Sequence, residues 1–199
     1  MVAGMTARHG TTIQTFSGHW YYPIDPRPED VDLRDVAHAL ALVNRFTGHS
    51  RVPYSVGQHS VLVSLAVEQA TGDRAQALWG LLHDASEAYI ADVARPVKQS
   101  GAMFAYREIE VRNMAAVCER FGLPREEPPA VKLADRKMLA TERRDLLCHE
   151  LPWGPLDAPY PDKIVPWSWE TAEQRFLARF HELAPPGLAE RVMRVGGAP

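Results

Sequence analysis

His83-Asp84-Ala85-Ser86-Glu87 follows directly on the apolar run Ala77-Leu78-Trp79-Gly80-Leu81-Leu82. An imidazole and a carboxylate stand side by side, and a second carboxylate comes one turn later. Wound as a helix, residues three and four apart share a face, so Glu87 falls on the side of His83 and Asp84. Burying such a trio is costly unless something neutralises it, and a divalent cation is the simplest answer. Any further ligand must then come from another helix.

Working outward, Asp73 and Gln76 have the spacing of a capping box and predict a central helix reaching about Ile90. Its broad apolar surface (Ala77, Leu78, Leu81, Leu82, Ala85, Ala88 and Tyr89, with Asp84 among them) fits a helix packed on several sides. Ser55 and Gln58 repeat the capping spacing for the preceding helix, expected to reach about Gln69. Its inward face is Val56, His59, Val63, Ala66, Val67 and Ala70, so His59 points into the core. A histidine there is either a satisfied core residue, hydrogen-bonded at each nitrogen, or a ligand. Before it, a helix from Leu33 to Phe46 is capped by Asp32, with Asp35 in its first turn. Its stripe is Val36, Ala39, Leu40, Val43 and Phe46; His38 and Arg45 fall off centre, and Gly48 and Pro53 interrupt the pattern.

Downstream, Ala91 to Lys98 reads as a loop whose Arg95 and Lys98 either hold phosphate oxygens or are solvated charges. A helix from Ala102 to Phe121 ends at Gly122 and Pro124. After Pro128-Pro129 another runs from about Ala130 to His149, with Val131, Ala134, Asp135, Met138, Leu139, Glu142 and Leu146 on or near one stripe. Asp135 and Glu142 are acids where the pattern asks for apolar residues. An aspartate so placed pairs with a base such as Lys132 or Arg136, or holds a metal. Leu151 to Pro166 is a proline-containing connection. A last amphipathic helix follows the cap Ser168, carrying Trp169, Ala172, Phe176, Leu177, Phe180 and Leu183, and Leu188 to Val195 forms a short helical tail before a fraying Gly196–Pro199.

The lead up to about Asp30 is irregular or extended. Its aromatics Phe16, Trp20, Tyr21 and Tyr22 either pack across the domain as a lid or, at Trp20 or a tyrosine, stack on a flat ligand. With no alternating strand pattern and no internal repeat, the chain reads as one all-α domain, an orthogonal or globin-like bundle over 1–199 with its core at about 33–147.

At 199 residues, with 46% apolar and 24% charged residues, the chain can bury a substantial core. A formal charge of -3 gives no basic field for a long nucleic acid. Cys118 and Cys148, each among apolar residues, read as buried free thiols rather than a disulfide scaffold. Met1 to Thr15 lacks the apolar core of a signal peptide, and no apolar run approaches the roughly 18 residues of a membrane span, so a cytoplasmic protein is expected. Neither GxxxxGK[ST], strand-linked GxGxxG nor HExxH occurs, and Gly57, Gly72 and Gly80 are explained by helix packing or turns.

His59, His83, Asp84 and Asp135 can converge from separate helices on one cation. Two imidazoles and two carboxylates suit manganese, cobalt, nickel, zinc or iron better than calcium. The ordered set Gln58-His59-Ser60, His83-Asp84-Ala85-Ser86-Glu87 and Val131-Lys132-Leu133-Ala134-Asp135 resembles the histidine–aspartate (HD-domain) phosphohydrolase superfamily. It is most similar to the bacterial 5'-deoxynucleotidase branch and its phage-borne relatives, some of which hydrolyse deoxynucleoside triphosphates. The resemblance covers roughly Leu33 to Leu147.

That resemblance implies an HD-domain helical bundle with an irregular N-terminal extension. It makes His59, His83, Asp84 and Asp135 metal ligands, Glu87 the carboxylate that places water or shuttles a proton, and Asp92 a helper on the leaving-group side. Arg45 in Asn44-Arg45-Phe46 resembles the family arginine that contacts phosphate, with Phe46 at the neighbouring aromatic position; Lys98 in Pro96-Val97-Lys98 matches a basic substrate position. The long lead, Phe16 to Tyr22 together with His38, resembles the phage-type branch and would shape a base or triphosphate pocket, Trp20 included. The implied activity is metal-dependent hydrolysis of a deoxynucleoside monophosphate to nucleoside and phosphate. The alternative is attack at the alpha phosphorus of a triphosphate, releasing triphosphate with additional Mg²⁺ on the outer phosphates. A noncatalytic, metal-containing nucleotide sensor and a purely structural bundle with Asp84 and Asp135 paired to bases are the readings from other classes. A small nucleotide is the expected partner, with no membrane, and a homo-oligomer is expected by resemblance.

Overall fold

The computed structural model describes residues 8–148 and 151–193. In chain order the helices are α1 (Leu33–Leu42), α2 (Val56–Thr71), α3 (Arg74–Leu82), α4 (Glu87–Ile90), α5 (Arg95–Lys98), α6 (Phe104–Phe121), α7 (Pro129–Leu146), α8 (Trp169–Leu183) and α9 (Leu188–Val192). Among the described residues the fold is all-α apart from one short antiparallel hairpin, β1 (Ile13–Gln14) with β2 (Trp20–Tyr21), in the lead, which carried no alternating strand signal. No described helix is long and apolar enough to cross a membrane.

Four helices begin where a local side chain stops the backbone from wasting N–H groups. Asp32 accepts from Arg34, Ser55 from Gln58, Asp73 from Ala75 and Gln76, and Ser168 from Thr171. Each cap stabilises its helix by about 1 kcal/mol. α2 then sits at the centre, packed against α1, α3, α7 and α8. Two glycines allow the close approach: a Cβ at Gly57 would meet the α1 backbone at 3.2 Å, and one at Gly80 would meet Ser64 and Val67 of α2 at 3.3–3.4 Å. One buried cluster gathers Leu33, Leu40, Leu81, Phe121, Phe176 and Phe180; a second gathers Tyr54, Val67, Trp79, Val131, Met138 and Ile164.

The boundaries differ from expectation where distant contacts override local pattern. The first helix stops at Leu42, short of Phe46, because Val43 to Arg45 are drawn into a bridge: Val56 N–H donates to the Val43 carbonyl and Arg45 N–H to that of Tyr54. Being covered by both α2 and α8, α1 buries Ala37 and Ala41, whereas Ala39, Val43 and Phe46 are only partly covered. Ala70, expected inside, is exposed in the last turn of α2.

The central helix does not run through to Ile90. After Leu82 the backbone tightens to i→i−3 bonds: Ala85 to Leu82, Glu87 to Asp84, Ala88 to Ala85 and Tyr89 to Ser86. The expected loop at Ala91–Lys98 contains α5, started by Pro96 near its first turn. α7 ends at Leu146, and the predicted end at His149 lies outside the described residues, as do Arg194 to Pro199. Cys118 is buried as expected, but Cys148 is exposed, since α7 has already ended before it.

Residues 151–166 form a strap laid back along α7. Tyr160 N–H donates to Thr141 Oγ1 (2.9 Å), Ile164 N–H to Asp145 Oδ2 (2.8 Å), and Arg144 to the carbonyls of Tyr160 and Asp162. Buried Gln58 fastens its end, donating to the Val165 carbonyl and accepting from Trp167 N–H. In the lead, Tyr21 is buried, stacked on Tyr89 with centroids 3.7 Å apart, and donates its hydroxyl to Asn113.

Candidate metal centre

His59, on the inward face of α2, is fully buried. Its Nε2 lies 3.2 Å from His83 Nε2, 3.3 Å from Asp135 Oδ1 and 3.7 Å from Asp84 Oδ2. His83 Nε2 is 3.3 Å from Asp84 Oδ2. Donor atoms of His59, His83 and Asp84 all lie within 4.8 Å of one another, and Asp135 joins them from α7 through its approach to His59. The tightened turn after Leu82 lets the adjacent residues His83 and Asp84 meet at one point.

The remaining ring nitrogens decide the protonation pattern. His83 Nδ1 faces the Gly80 carbonyl at 2.8 Å, and a carbonyl only accepts, so that nitrogen carries the proton. His59 Nδ1 faces the Glu142 carboxylate at 2.6 Å with the same result. With both rings neutral, each Nε2 would present a lone pair, and the two would face each other across 3.2 Å. Only a positive centre makes that arrangement favourable: a proton on one ring, or a cation between them. Histidine whose far nitrogen is held by a carboxylate or carbonyl is the usual form of a metal ligand.

Asp135 does not pair with the neighbouring bases. Arg136 Nε lies 2.7 Å from Asp157, and Lys132 Nζ 3.9 Å from Glu127. Its partner is His59.

Around these ligands, Arg45 leaves the end of α1 and donates from Nε to Glu142 (3.2 Å) and from Nη1 to Asp84 (3.4 Å). It thus stands on the cluster, paired with two of its acids. Glu87 and Asp92 flank the same centre electrostatically, and Lys98 Nζ lies 3.8 Å from Glu87 and 2.5 Å from Glu110. Phe46 lies beside the Arg45 guanidinium, 5.5 Å from its carbon to the ring centroid. Trp20 is exposed on the hairpin and makes no hydrogen bond, ion pair or ring contact with this cluster among the described residues. Phe16 and His38 stack on each other at 3.7 Å instead of turning to the ligands.

Glu142 is the central residue that a ligand list alone misses. It is fully buried between Arg45 and His59. The signal was its acid on an apolar stripe two turns after Asp135, which puts both on one face of α7. Tyr106 is another: its hydroxyl donates to the carbonyls of Ile90 (3.2 Å) and Ala91 (2.9 Å). Ala91 has φ 66° and ψ 158°, a conformation natural only to glycine, and the turn it makes sets the position of Asp92.

No protein-family model matches the chain. It is 36% identical over 176 residues to the uncharacterized protein YfdR of Escherichia coli (strain K12), an alignment covering 86% of this chain and 95% of that protein. The chain belongs to the YfdR family. It is also 40% identical over 116 residues to the uncharacterized protein RCAP_rcc00048 of Rhodobacter capsulatus, covering 56% of this chain and 58% of that one.

In this YfdR-family chain the charges are tuned by one another. Burial opposes an imidazolium at His83, but the charge and hydrogen bond of Asp84, with Asp135, outweigh it and lift the pKa to about 10. Burial would raise Asp135, yet its hydrogen bond and charge contact with His59 hold it at about 2. Burial raises Glu87 well above its ordinary value, helped by the charges of Asp84 and Asp92.

A pH dependence follows for metal-stripped protein. The His83 imidazolium has a folded pKa of about 10 against 6.5 for the free side chain, so its stabilisation is whole below 6.5 and lost as pH rises toward 10. Thermal melts of chelator-treated protein should show Tm falling across that window. Metal affinity, which requires the neutral ring, should rise over the same range. A flat Tm across that range would remove the imidazolium.

Proposed function

We propose that this chain is a divalent-metal-dependent phosphohydrolase of the HD type, hydrolysing deoxynucleoside monophosphates to deoxynucleoside and inorganic phosphate. The observation that carries the reading is the approach of the two imidazole Nε2 atoms to 3.2 Å, flanked by Asp84 and Asp135. This donor set, with each far nitrogen held by Glu142 or Gly80, fits a borderline divalent metal such as manganese, cobalt, nickel, zinc or iron.

Held by His59, His83, Asp84 and Asp135, the cation would supply Lewis acidity at a phosphoryl oxygen and a more acidic water. The chain's own groups do the rest. Arg45 keeps its charge at any working pH and fixes Asp84 while facing the incoming phosphate. Glu87 has a buried carboxyl oxygen, Oε2, without a hydrogen-bond partner among the described residues, so a water or phosphoryl oxygen can be held there. Burial and the charges of Asp84 and Asp92 raise its pKa well above the ordinary glutamate value, which favours its carrying a proton beside that water. Asp92, raised by burial and the charge of Asp84 though opposed by Arg45, would stand on the leaving-group side. Lys98 offsets the charge of Glu87 and the phosphate.

The test is a panel of deoxynucleoside mono-, di- and triphosphates with Mn²⁺, Co²⁺, Zn²⁺ or Mg²⁺, the products separated by chromatography. Orthophosphate and nucleoside from monophosphates are expected. Intact tripolyphosphate from triphosphates would replace this substrate assignment. Metal-loaded protein that binds nucleotides and turns none over would replace the enzyme reading with a sensor.

A further inference from the structure

We propose that the strap completes the substrate pocket: Trp153, held by Arg143, and Phe46 form the aromatic walls that grip the flat base of the nucleotide. This rests on the phosphohydrolase reading for what is cleaved, but on separate residues for what is gripped.

The strap is placed by the helix that carries Asp135 and Glu142. Arg143 Nη2 donates to the Leu151 carbonyl at 2.8 Å, and Arg136 pairs with Asp157 at 2.7 Å. The Arg143 guanidinium lies over Trp153, its carbon 5.5 Å from the ring centroid. That tryptophan, 39% exposed, meets Phe46 at 6.5 Å between centroids with the rings tilted by 60°. Phe46 in turn lies beside Arg45, whose Nη1 is 3.4 Å from Asp84. Through Arg45, the ligand cluster is therefore joined to a tilted pair of aromatic rings, one of them partly exposed.

Two further observations point to a ligand. Phe46 (φ 57°, ψ 28°) and Thr47 (φ 53°, ψ 31°) are both left-handed, a conformation disfavoured for an aromatic and more so for a β-branched residue. The strained turn aims Phe46 at Trp153 instead of leaving it on the α1 stripe. Arg143 Nε is buried without a hydrogen-bond partner among the described residues, an N–H free for an acceptor on a base or sugar. Stacking engages the π-face that every base has, so these walls would select nucleotides over ringless phosphate esters and discriminate little among bases.

The experiment compares the parent with Trp153→Ala and Trp153→Phe on deoxyadenosine 5'-monophosphate and on 2-deoxyribose 5-phosphate, which has no base. Deoxyadenosine is titrated by calorimetry in parallel. For Trp153→Ala, KM for the nucleotide should rise about tenfold or more with kcat retained, and deoxyadenosine affinity should fall alike. Turnover of 2-deoxyribose 5-phosphate should not change, and Trp153→Phe should keep most of the affinity. Equal losses on both esters, an unaltered nucleotide KM, or no deoxyadenosine binding by the parent would overturn the proposal. If the parent hydrolyses neither ester, the phosphohydrolase reading fails, and the calorimetry alone decides the aromatic walls.

Discussion

Asp84→Ala protein is expected to purify folded, without bound metal, and with phosphate-ester hydrolysis reduced on the order of a thousandfold. Asp84 approaches both histidines and Arg45, so its loss removes an anionic donor and, with it, the charge that raises the His83 pKa. The fold should survive, because the side chain is 21% exposed and Arg45 keeps Glu142 as its partner. Elemental analysis, circular dichroism and turnover on the same preparation separate these effects. Unchanged hydrolysis by a folded Asp84→Ala protein would rule out the proposed centre.

The second large effect belongs to Glu142→Ala. Its carboxylate is fully buried, accepts from His59 Nδ1 at 2.6 Å and from Arg45, and is held below the ordinary glutamate range: burial opposes its charge, but Arg45 and His59 outweigh burial. Removing it leaves the buried His59 N–H without its acceptor and the buried guanidinium with only Asp84 at 3.4 Å, a loss of about 3–5 kcal/mol. In a chain of this size that is a fall in Tm of about 6–20 °C. Glu142→Gln keeps the volume and should melt closer to the parent, while metal affinity drops about 10–100-fold because His59 loses its anionic support. A Tm and a metal affinity both matching the parent would show that Glu142 supports neither.

What was legible in the sequence depended on how local its cause was. The caps at Asp32, Ser55, Asp73 and Ser168 act within three residues, and all are present. His59 on the inward face of α2 followed from periodicity, and so did the acids Asp135 and Glu142 as anomalies on α7. Which anomaly faced which partner was not legible, because Lys132 and Arg136 are both near Asp135 in sequence and only the fold sends them to Glu127 and Asp157.

Boundaries set by remote contacts were missed. The bridge between Asn44 and Ser55 ends α1 early, and no pattern within Leu33–Phe46 announces it. The strap has no periodicity at all; Gln58, Thr141 and Asp145 hold it from elsewhere in the chain, which is why Trp153 and Arg143 escaped notice. The shared family with YfdR places the chain among relatives without supplying the chemistry, so the chemical argument stands on the geometry of the cluster.

The three-residue pitch of the bonds from Leu82 to Tyr89 has an evolutionary corollary. At three residues per turn, positions three apart eclipse, so Asp84 and Glu87 are locked in phase along one line. Inserting or deleting a single residue between them would swing Glu87 by about 120° and leave the two acids facing different ways. For descendants of this chain, the number of residues between Asp84 and Glu87 is as fixed as the two acids themselves.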